Sequence, residues 1–126
     1  MWRFLFIAFL IAHGLIHLVM WVVPPKPKEG AAAQPFDPSH SWLLGDRRAP
    51  AKVGALTAAA VLALAGLGLW AGADWWRALA VAGLATSLGL MVLYFDRWFL
   101  LIQAVNTALI VGLLWLSWPS QAMVGA

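Results

Sequence analysis

Two histidines lie four residues apart in the segment AHGLIHL, residues 12–18, within an apolar stretch near the start of the chain. Side chains at i and i+4 share one face of a helix, so His13 and His17 can act together. An imidazole can donate or accept a hydrogen bond, bind a metal ion or titrate near neutral pH. The pair therefore predicts hydrogen bonding, ligand binding or metal binding at this place.

The composition of the chain indicates that lipid surrounds these histidines. Of its 126 residues, 63% are hydrophobic and only 10% are charged, whereas soluble domains carry about 25% charged residues. The absence of cysteine excludes disulfides and thiolate chemistry. Eight basic and five acidic residues give a net charge of +3, which is too little for a nucleic-acid surface. A small basic excess of this kind is typical of contact with anionic lipid headgroups.

Four stretches are long and apolar enough, or nearly so, to cross a membrane, since a spanning helix needs about 20 apolar residues. None contains Asp, Glu, Lys or Arg, and most tryptophans fall at their ends, where indole prefers the headgroup level. The sequence thus predicts an all-α fold, a four-transmembrane-helix bundle with one long loop between helices 1 and 2. This bundle is predicted to form a single integral membrane domain over 1–126. Its spans are expected at 4–23, 53–73, 78–95 and 98–118, with a loop at 24–52.

The long loop divides into two parts by composition. Residues 24–35, PPKPKEGAAAQP, are typical of a solvated, polyproline-like spacer. Beyond it, Asp37 as N-cap, Pro38 in the first turn and Gly45 as a stop predict a short interfacial helix. A loop without regular structure is the alternative. The basic residues that follow are expected to bind lipid phosphates: Arg47, Arg48 and Lys52.

Two aspartates and the distribution of basic residues orient the predicted helices. Asp74 and Asp96 each precede a span and suit the N-cap of the helix that follows. The side of the membrane that carries the loop at 24–52, termed the loop side, has six basic residues, and the opposite terminal side has two. The loop side is therefore predicted to be cytoplasmic, with both termini on the terminal side of a bacterial cytoplasmic membrane.

Small residues on two predicted helices indicate close helix packing in lipid. They favour packing within one chain, and a homodimer is the alternative. The residues are Ala55, Ala59, Ala63, Gly66, Gly68 and Gly72 on the second helix and Ala82, Ala85, Thr86 and Gly89 on the third.

A layer of polar side chains is predicted within the loop-side half of the membrane. With a rise of about 1.5 Å per residue, the polar residues of the first, third and fourth helices fall at about 8 to 15 Å from the loop side. Polar groups that face lipid lack partners, so these side chains are expected to meet inside the bundle. The predicted cluster consists of His13, His17, Thr86, Ser87, Gln103 and Asn106.

Three functions are compatible with this polar cluster. The favoured hypothesis is a non-enzymatic protein, without catalytic residues, whose cluster binds a small ligand or a lipid headgroup. The second is a structural accessory subunit that packs against a larger membrane complex. The third is a metal- or haem-dependent redox protein with His13, His17 and Met20 as ligands. Because the spans contain no acidic third ligand and Gly14 replaces the glutamate of the H-E-x-x-H zinc motif, no cofactor is predicted.

Three segments of the chain together resemble a known set of proteins. They are AHGLIHL, the SW pair at 41–42 and FDRWFLLIQAVN at 95–106. The chain resembles uncharacterised small four-helix bacterial membrane proteins with an A-H-G-x-I-H-L-type first helix, although its loop is longer and richer in proline. The resemblance implies a four-helix architecture and no particular activity. It marks as family-type positions His13, Gly14, His17, Asp96 and Asn106.

Overall fold

A computed structural model describes residues 1–22 and 37–125 of the chain. A helical fold is confirmed, and four helices are long and apolar enough to cross a membrane. Between the first two, short strands β1 (His40–Ser41) and β2 (Gly45–Asp46) pair in antiparallel fashion. The spacer predicted at 24–35 lies outside the described residues. The helices are α1 (Trp2–His17, continued by a π-helix at Leu18–Val22), α2 (Arg48–Ala71), α3 (Trp76–Leu93), α4 (Leu100–Leu114, after a 3-10 turn at Arg97–Phe99) and α5 (Gln121–Val124).

The start of α2 is the place where a helix departs most from its predicted span. The helix begins at Arg48 rather than at residue 53. Pro50 is accommodated in the first turn because the N–H groups there have no helical partner to lose. The apolar criterion missed this turn because it carries Arg48 and Lys52, which therefore belong to α2 and not to the loop.

The four long helices pack in the order of the chain. Helix α2 contacts both α1 and α3, and α4 packs against α3, whereas α1 and α4 make few contacts with each other. The buried apolar side chains form two clusters. The cluster at the terminal side includes Leu10, Leu62, Leu69 and Trp76, and that at the loop side includes Trp21, Leu90, Tyr94 and Phe99.

Close contact between α1 and α2 depends on Gly14. A Cβ atom added to Gly14 would lie 2.9 Å from the backbone oxygen of Ala59 and 3.1 Å from Cβ of Leu62. The predicted packing stripe on the second helix is largely buried, with Ala55, Ala59 and Gly66 inside and Ala63 half-buried.

The prediction that the small residues of the third helix pack against other helices of this chain was wrong. Ala82, Ala85 and Gly89 are exposed on the outer surface of the bundle, and Thr86 is half-buried. The face of α3 that packs inward instead carries Ala80, Gly83, Leu84 and Ser87. Both faces hold small residues, so residue size alone does not decide which face turns inward.

The interfacial helix predicted from Asp37 to Gly45 was also wrong, because this segment forms the β1–β2 hairpin. Asp37 does accept the cap-type hydrogen bond from the Ser39 N–H at 2.8 Å and a second from the Ser39 hydroxyl at 2.7 Å. These bonds lower the pKa of the Asp37 carboxyl. The turn does not propagate, because the Ser41 hydroxyl accepts the backbone N–H groups of Leu43 and Leu44. Such local bonds compete with helix formation.

The hairpin closes the end of α3. The hydroxyl of Ser41 donates to the Leu93 carbonyl and the indole N–H of Trp42 donates to the Val92 carbonyl, each at 2.7 Å. The last carbonyls of a helix have no partner within it, so these side chains satisfy them. The hydroxyl of Tyr94 in turn donates to the Arg47 carbonyl, which ties the start of α2 to the same place.

Two arginines close the opposite end of the bundle. Arg3 on α1 donates from Nη2 to the carbonyls of Leu69 at 3.0 Å and Trp70 at 2.7 Å, in the last turn of α2. Arg77 on α3 donates to the Pro119 carbonyl, and its guanidinium lies 4.9 Å from the centre of the Trp76 ring. Arg3 thus places a basic group at the C-terminus of α2, where unpaired carbonyls carry partial negative charge.

The two predicted aspartate caps have different outcomes. The predicted N-cap role of Asp96 is confirmed, because its carboxylate accepts the Trp98 N–H at 2.9 Å at the start of the turn that leads into α4. The prediction that Asp74 caps the third helix was wrong. The residue that precedes α3 is Trp75, and no side-chain cap bond forms there.

The Asp96→Ala substitution is expected to lower the free energy of unfolding by about 1 kcal/mol, since it removes an N-cap acceptor. The matched control is Asp74→Ala, which removes an equal charge from a carboxylate that caps no helix. Detergent-solubilised variants would be unfolded with sodium dodecyl sulfate and followed by circular dichroism. Equal losses in the two variants would contradict the capping role of Asp96.

Candidate ligand-binding site

A chain of hydrogen bonds links three helices through fully buried side chains. Nδ1 of His17 lies 2.8 Å from the His13 carbonyl oxygen, and Nε2 lies 2.7 Å from the Ser87 hydroxyl. The same hydroxyl accepts a hydrogen bond from Nδ2 of Asn106 at 2.8 Å. Ser87 on α3 thus joins α1 to α4, and His17, Ser87 and Asn106 are buried.

The partners of His17 define the direction of every bond in this chain. A carbonyl oxygen only accepts, so Nδ1 of His17 carries the hydrogen and Nε2 of the neutral ring is an acceptor. The Ser87 proton must then point to His17, which leaves the serine oxygen to accept from Asn106. Asn106 therefore donates an N–H to Ser87, and its oxygen Oδ1 takes no part in this chain of bonds.

His13 and Asn106 present two buried polar atoms without a hydrogen bond. These are Nε2 of His13 and Oδ1 of Asn106. The Asn106 amide faces the His13 imidazole as a hydrogen-bonding group, yet the two atoms do not meet the geometry of a bond. Buried polar groups are nearly always paired. This pair is therefore the least satisfied part of the polar cluster.

Not every residue of the predicted cluster reaches this network. The structure brings together His13, His17, Ser87 and Asn106. The Thr86 hydroxyl donates to Ala82 of its own helix at 2.8 Å. Gln103 donates to the Met91 carbonyl at 3.2 Å, which is a separate hydrogen bond between α4 and α3.

A ladder of aromatic rings along α1 positions the two imidazoles. The centre of the His13 ring lies 5.3 Å from that of Phe9 and 5.4 Å from that of His17. The His17 ring stacks on Trp21 at 5.7 Å, and Trp21 contacts Phe99 at 5.3 Å. Phe9 was not among the predicted site residues, although aromatic side chains recur at positions 9, 13, 17 and 21 of the sequence. The π-helix that follows His17 is a feature frequent at functional sites.

A cleft of about 260 Å³ lies between α1 and α4, next to the histidines. It lies between two helices that make few contacts with each other. Ile16, Leu101 and Val105 on its walls are also exposed on the outer surface of the bundle, so the cleft opens sideways. The residues that line it are His13, Ile16, His17, Met20, Met91, Leu101, Ile102 and Val105.

The donor set at the histidines does not suit a metal ion. Both ring nitrogens of His17 already have partners, so a metal would have to displace Ser87 or break the bond to the His13 carbonyl. Met20 lines the cleft beside His13 and adds a thioether. Within residues 1–22 and 37–125, no three His, Cys, Asp or Glu side chains are grouped to hold a metal ion.

The predicted headgroup residues lie at the start of α2, apart from the residues that line the cleft. Arg47 and Lys52 are exposed. Arg48 is half-buried, and its Nε and Nη2 atoms are buried without a hydrogen-bond partner.

No protein-family model matches this chain, and no curated protein or solved structure matches it. The fold and the site by themselves define a class of protein. It is a small helical protein with four membrane-length helices, in which a buried polar network borders a cleft that opens sideways. Its function is therefore argued from this geometry.

Proposed function

We propose that this chain is a four-span protein of the bacterial cytoplasmic membrane that binds a small amphipathic molecule from the bilayer and does not transform it. The binding site is the cleft between α1 and α4. The observation that carries the proposal is the imidazole of His13, which lines an otherwise apolar cleft and whose buried Nε2 atom meets no hydrogen-bond geometry.

The lining of the cleft supports an amphipathic ligand. Six of its eight lining residues are aliphatic or thioether side chains, and the other two are His13 and His17. Small-molecule sites commonly have apolar walls with a few polar groups that fix orientation. A lipid chain would pack against the apolar walls, but it would leave Nε2 of His13 without a partner.

The direction of the opening supports access from the membrane. The walls of the cleft continue onto the exposed surfaces of α1 and α4, where Leu101 is 76% exposed. In a bilayer these surfaces face lipid, so a ligand dissolved among the acyl chains would reach the cleft without crossing the headgroups. Under the proposed orientation, with the termini outside, the cleft lies in the cytoplasmic half of the membrane.

One observation favours a structural accessory role as a second function. The outer face of α3 carries the exposed small residues Ala82, Ala85 and Gly89. Small residues allow another helix to approach closely in lipid. An accessory subunit would copurify from native membranes with a fixed partner. Ala85→Leu would release that partner without affecting the cleft.

Cleft binding is tested with two probes, 4-pentylphenol and pentylbenzene, in nanodiscs that contain the purified protein. We expect saturable binding by saturation-transfer NMR, after subtraction of partitioning into empty nanodiscs. Val105→Trp should weaken binding of both probes at least tenfold, because Val105 lines the cleft. The matched control is Val111→Trp, since both valines are on α4 and 38% exposed but Val111 is not a lining residue. Equal binding by the two variants would contradict the proposal.

A further inference from the structure

We infer that a second pocket, at the terminal side of the bundle, binds a phosphate group through Arg77 and the polar side chains that line the pocket with it. This space, termed the terminal pocket, has a volume of about 480 Å³. It shares no lining residue with the cleft between α1 and α4, so the inference is independent of the proposed function. The residues that line the terminal pocket are Arg77, Leu113, Ser117, Ser120, Gln121 and Ala122.

Arg77 supplies a fixed positive charge to the terminal pocket. Its Nη2 donates to the Pro119 carbonyl, and its guanidinium lies 4.9 Å from the centre of the Trp76 ring. Its Nε and Nη1 groups have no acceptor among the residues that the structure describes. The N–H groups of a guanidinium form a planar fork that matches the oxygens of a phosphate or a carboxylate. Arg77 is thus held in place with donors still available.

Three further side chains offer donors to the same space. The Ser120 hydroxyl accepts the Met123 N–H at 3.3 Å, so its own proton remains available. The Ser117 hydroxyl and the Gln121 amide form no hydrogen bond with any residue in the described part of the chain. Ser117 also has a φ of 51°, a left-handed conformation that is uncommon outside glycine and is frequent at ligand-binding sites.

The chemistry of this donor set favours a phosphate monoester. The lining residues bring one guanidinium, two hydroxyls and one amide, and none of them is a carboxylate that would repel an anion. An ammonium group would be repelled by Arg77. A carboxylate has only two oxygens in one plane, whereas a phosphate monoester presents three oxygens that accept from donors on different sides.

The terminal pocket lies at the level where phosphate groups are found in a membrane. Arg77 follows Trp75 and Trp76 at the start of α3, and Ser117 lies between Trp115 and Trp118 just after α4. Tryptophan is enriched at the headgroup level of a bilayer. The phosphate can therefore come from two sources, a lipid headgroup or the adjoining aqueous phase.

Native mass spectrometry of the protein in dodecylmaltoside, a detergent without phosphate, tests this inference. The probes are dimyristoylphosphatidic acid, which is a phosphate monoester, and dimyristoylglycerol, which has the same chains without phosphate. We expect the chain to retain one phosphatidic acid about tenfold more tightly than the diglyceride, the gain from a hydrogen bond to a charged group. Inorganic phosphate, added as a competitor, distinguishes the sources. Displacement of the lipid would identify phosphate from solution as a ligand of the same pocket, and retention would identify the headgroup.

Arg77→Gln should weaken retention of phosphatidic acid about tenfold, because it removes the charge. The matched control is Arg3→Gln, since Arg3 is also a half-buried arginine that donates to carbonyls at the terminal side but does not line the pocket. Equal retention of phosphatidic acid and diglyceride by the wild type would overturn the inference. Equal losses in the two arginine variants would also overturn it.

Gln121→Glu keeps the test decisive if Arg77→Gln does not fold. Gln121 is exposed and forms no hydrogen bond within the described part of the chain, so the change breaks no contact there. The added negative charge should weaken retention about tenfold or more by repulsion. Ala71→Glu adds the same charge at an exposed residue at the end of α2, outside the pocket lining, and should retain the lipid. Equal retention by these two variants would contradict a phosphate in the terminal pocket. Val105→Trp, which blocks the cleft, should leave retention unchanged, so failure of this inference and failure of the proposed function are distinguishable.

Discussion

Replacing Gly14 by leucine is expected to lower the free energy of unfolding of this bundle by about 3 kcal/mol, the upper part of the usual range for overpacking. Even a Cβ atom at this position would lie 2.9 Å from the Ala59 backbone oxygen, which is closer than van der Waals contact allows. A backbone oxygen in the middle of α2 cannot turn aside as a side chain can. The larger leucine must therefore push α1 away from α2.

The control for this substitution is Gly89→Leu. Gly89 is an exposed helical glycine on α3, and an added Cβ would meet no atom within 4 Å. Both variants gain the same apolar side chain in a helix, so the difference in unfolding free energy isolates the α1–α2 contact. Unfolding with sodium dodecyl sulfate would measure it. A cost for Gly14→Leu no larger than for Gly89→Leu would mean that the two helices are not in backbone contact.

Gly14→Leu also has a consequence for the site. Gly14 lies between His13 and His17, on the helix that carries both imidazoles. Moving α1 away from α2 alters the distance from His17 to Ser87, which is 2.7 Å in the intact bundle. A variant that still folds should therefore bind 4-pentylphenol more weakly, although Gly14 does not line the cleft.

Depth along the helices could be predicted from the sequence because rise per residue is nearly constant. The placement of His17 and Asn106 at similar depths on different helices follows from counting residues. Lipid supplies the second constraint, since a polar group at that depth needs a partner inside the bundle. Membrane-length helices were equally predictable from the apolar runs that TM segments require.

The direction in which each helix faces was harder to predict. Thr86 and Ser87 are neighbours at almost the same depth, but adjacent residues on a helix point about 100° apart. A threonine can satisfy its hydroxyl on its own helix, as Thr86 does on Ala82. Polarity alone therefore did not identify which hydroxyl joins the histidine.

The hairpin at the loop side depended on contacts that are distant in sequence. Ser41 and Trp42 donate to carbonyls of α3 about fifty residues later in the chain. Local signals for a cap and a stop were present, and the Asp37 cap bond forms, yet the segment pairs as strands. Local sequence patterns contain no information about which helix end lies nearby.

Ser87→Ala is expected to lower the free energy of unfolding by about 2 kcal/mol. Loss of this one hydroxyl removes two hydrogen bonds and leaves Nε2 of His17 and Nδ2 of Asn106 buried without partners. Single interhelical hydrogen bonds in membrane proteins contribute about 0.6 kcal/mol on average. The larger value is expected here because two buried polar groups are orphaned together, and each orphaned group costs about 1 to 3 kcal/mol.

The neighbouring substitution Thr86→Ala provides the matched control. It also removes one hydroxyl from α3 at the same depth, but that hydroxyl bonds only to Ala82 of its own helix. Its expected cost is below about 0.5 kcal/mol. Similar losses for the two variants, measured by unfolding in sodium dodecyl sulfate, would contradict the role of Ser87 as the junction between α1 and α4.

A double-mutant cycle separates the two bonds that Ser87 makes. His17→Phe keeps a ring between His13 and Trp21 but has no nitrogen for Ser87 to bind. If the serine–histidine bond stabilises the bundle, His17→Phe should cost about 1 kcal/mol less in the Ser87→Ala background than in the wild type. Additive costs would place the contribution of Ser87 in its bond to Asn106 alone. In that case Asn106→Leu, rather than His17→Phe, should show the coupling, because a hydroxyl that stabilises three helices must be coupled to at least one of its two partners.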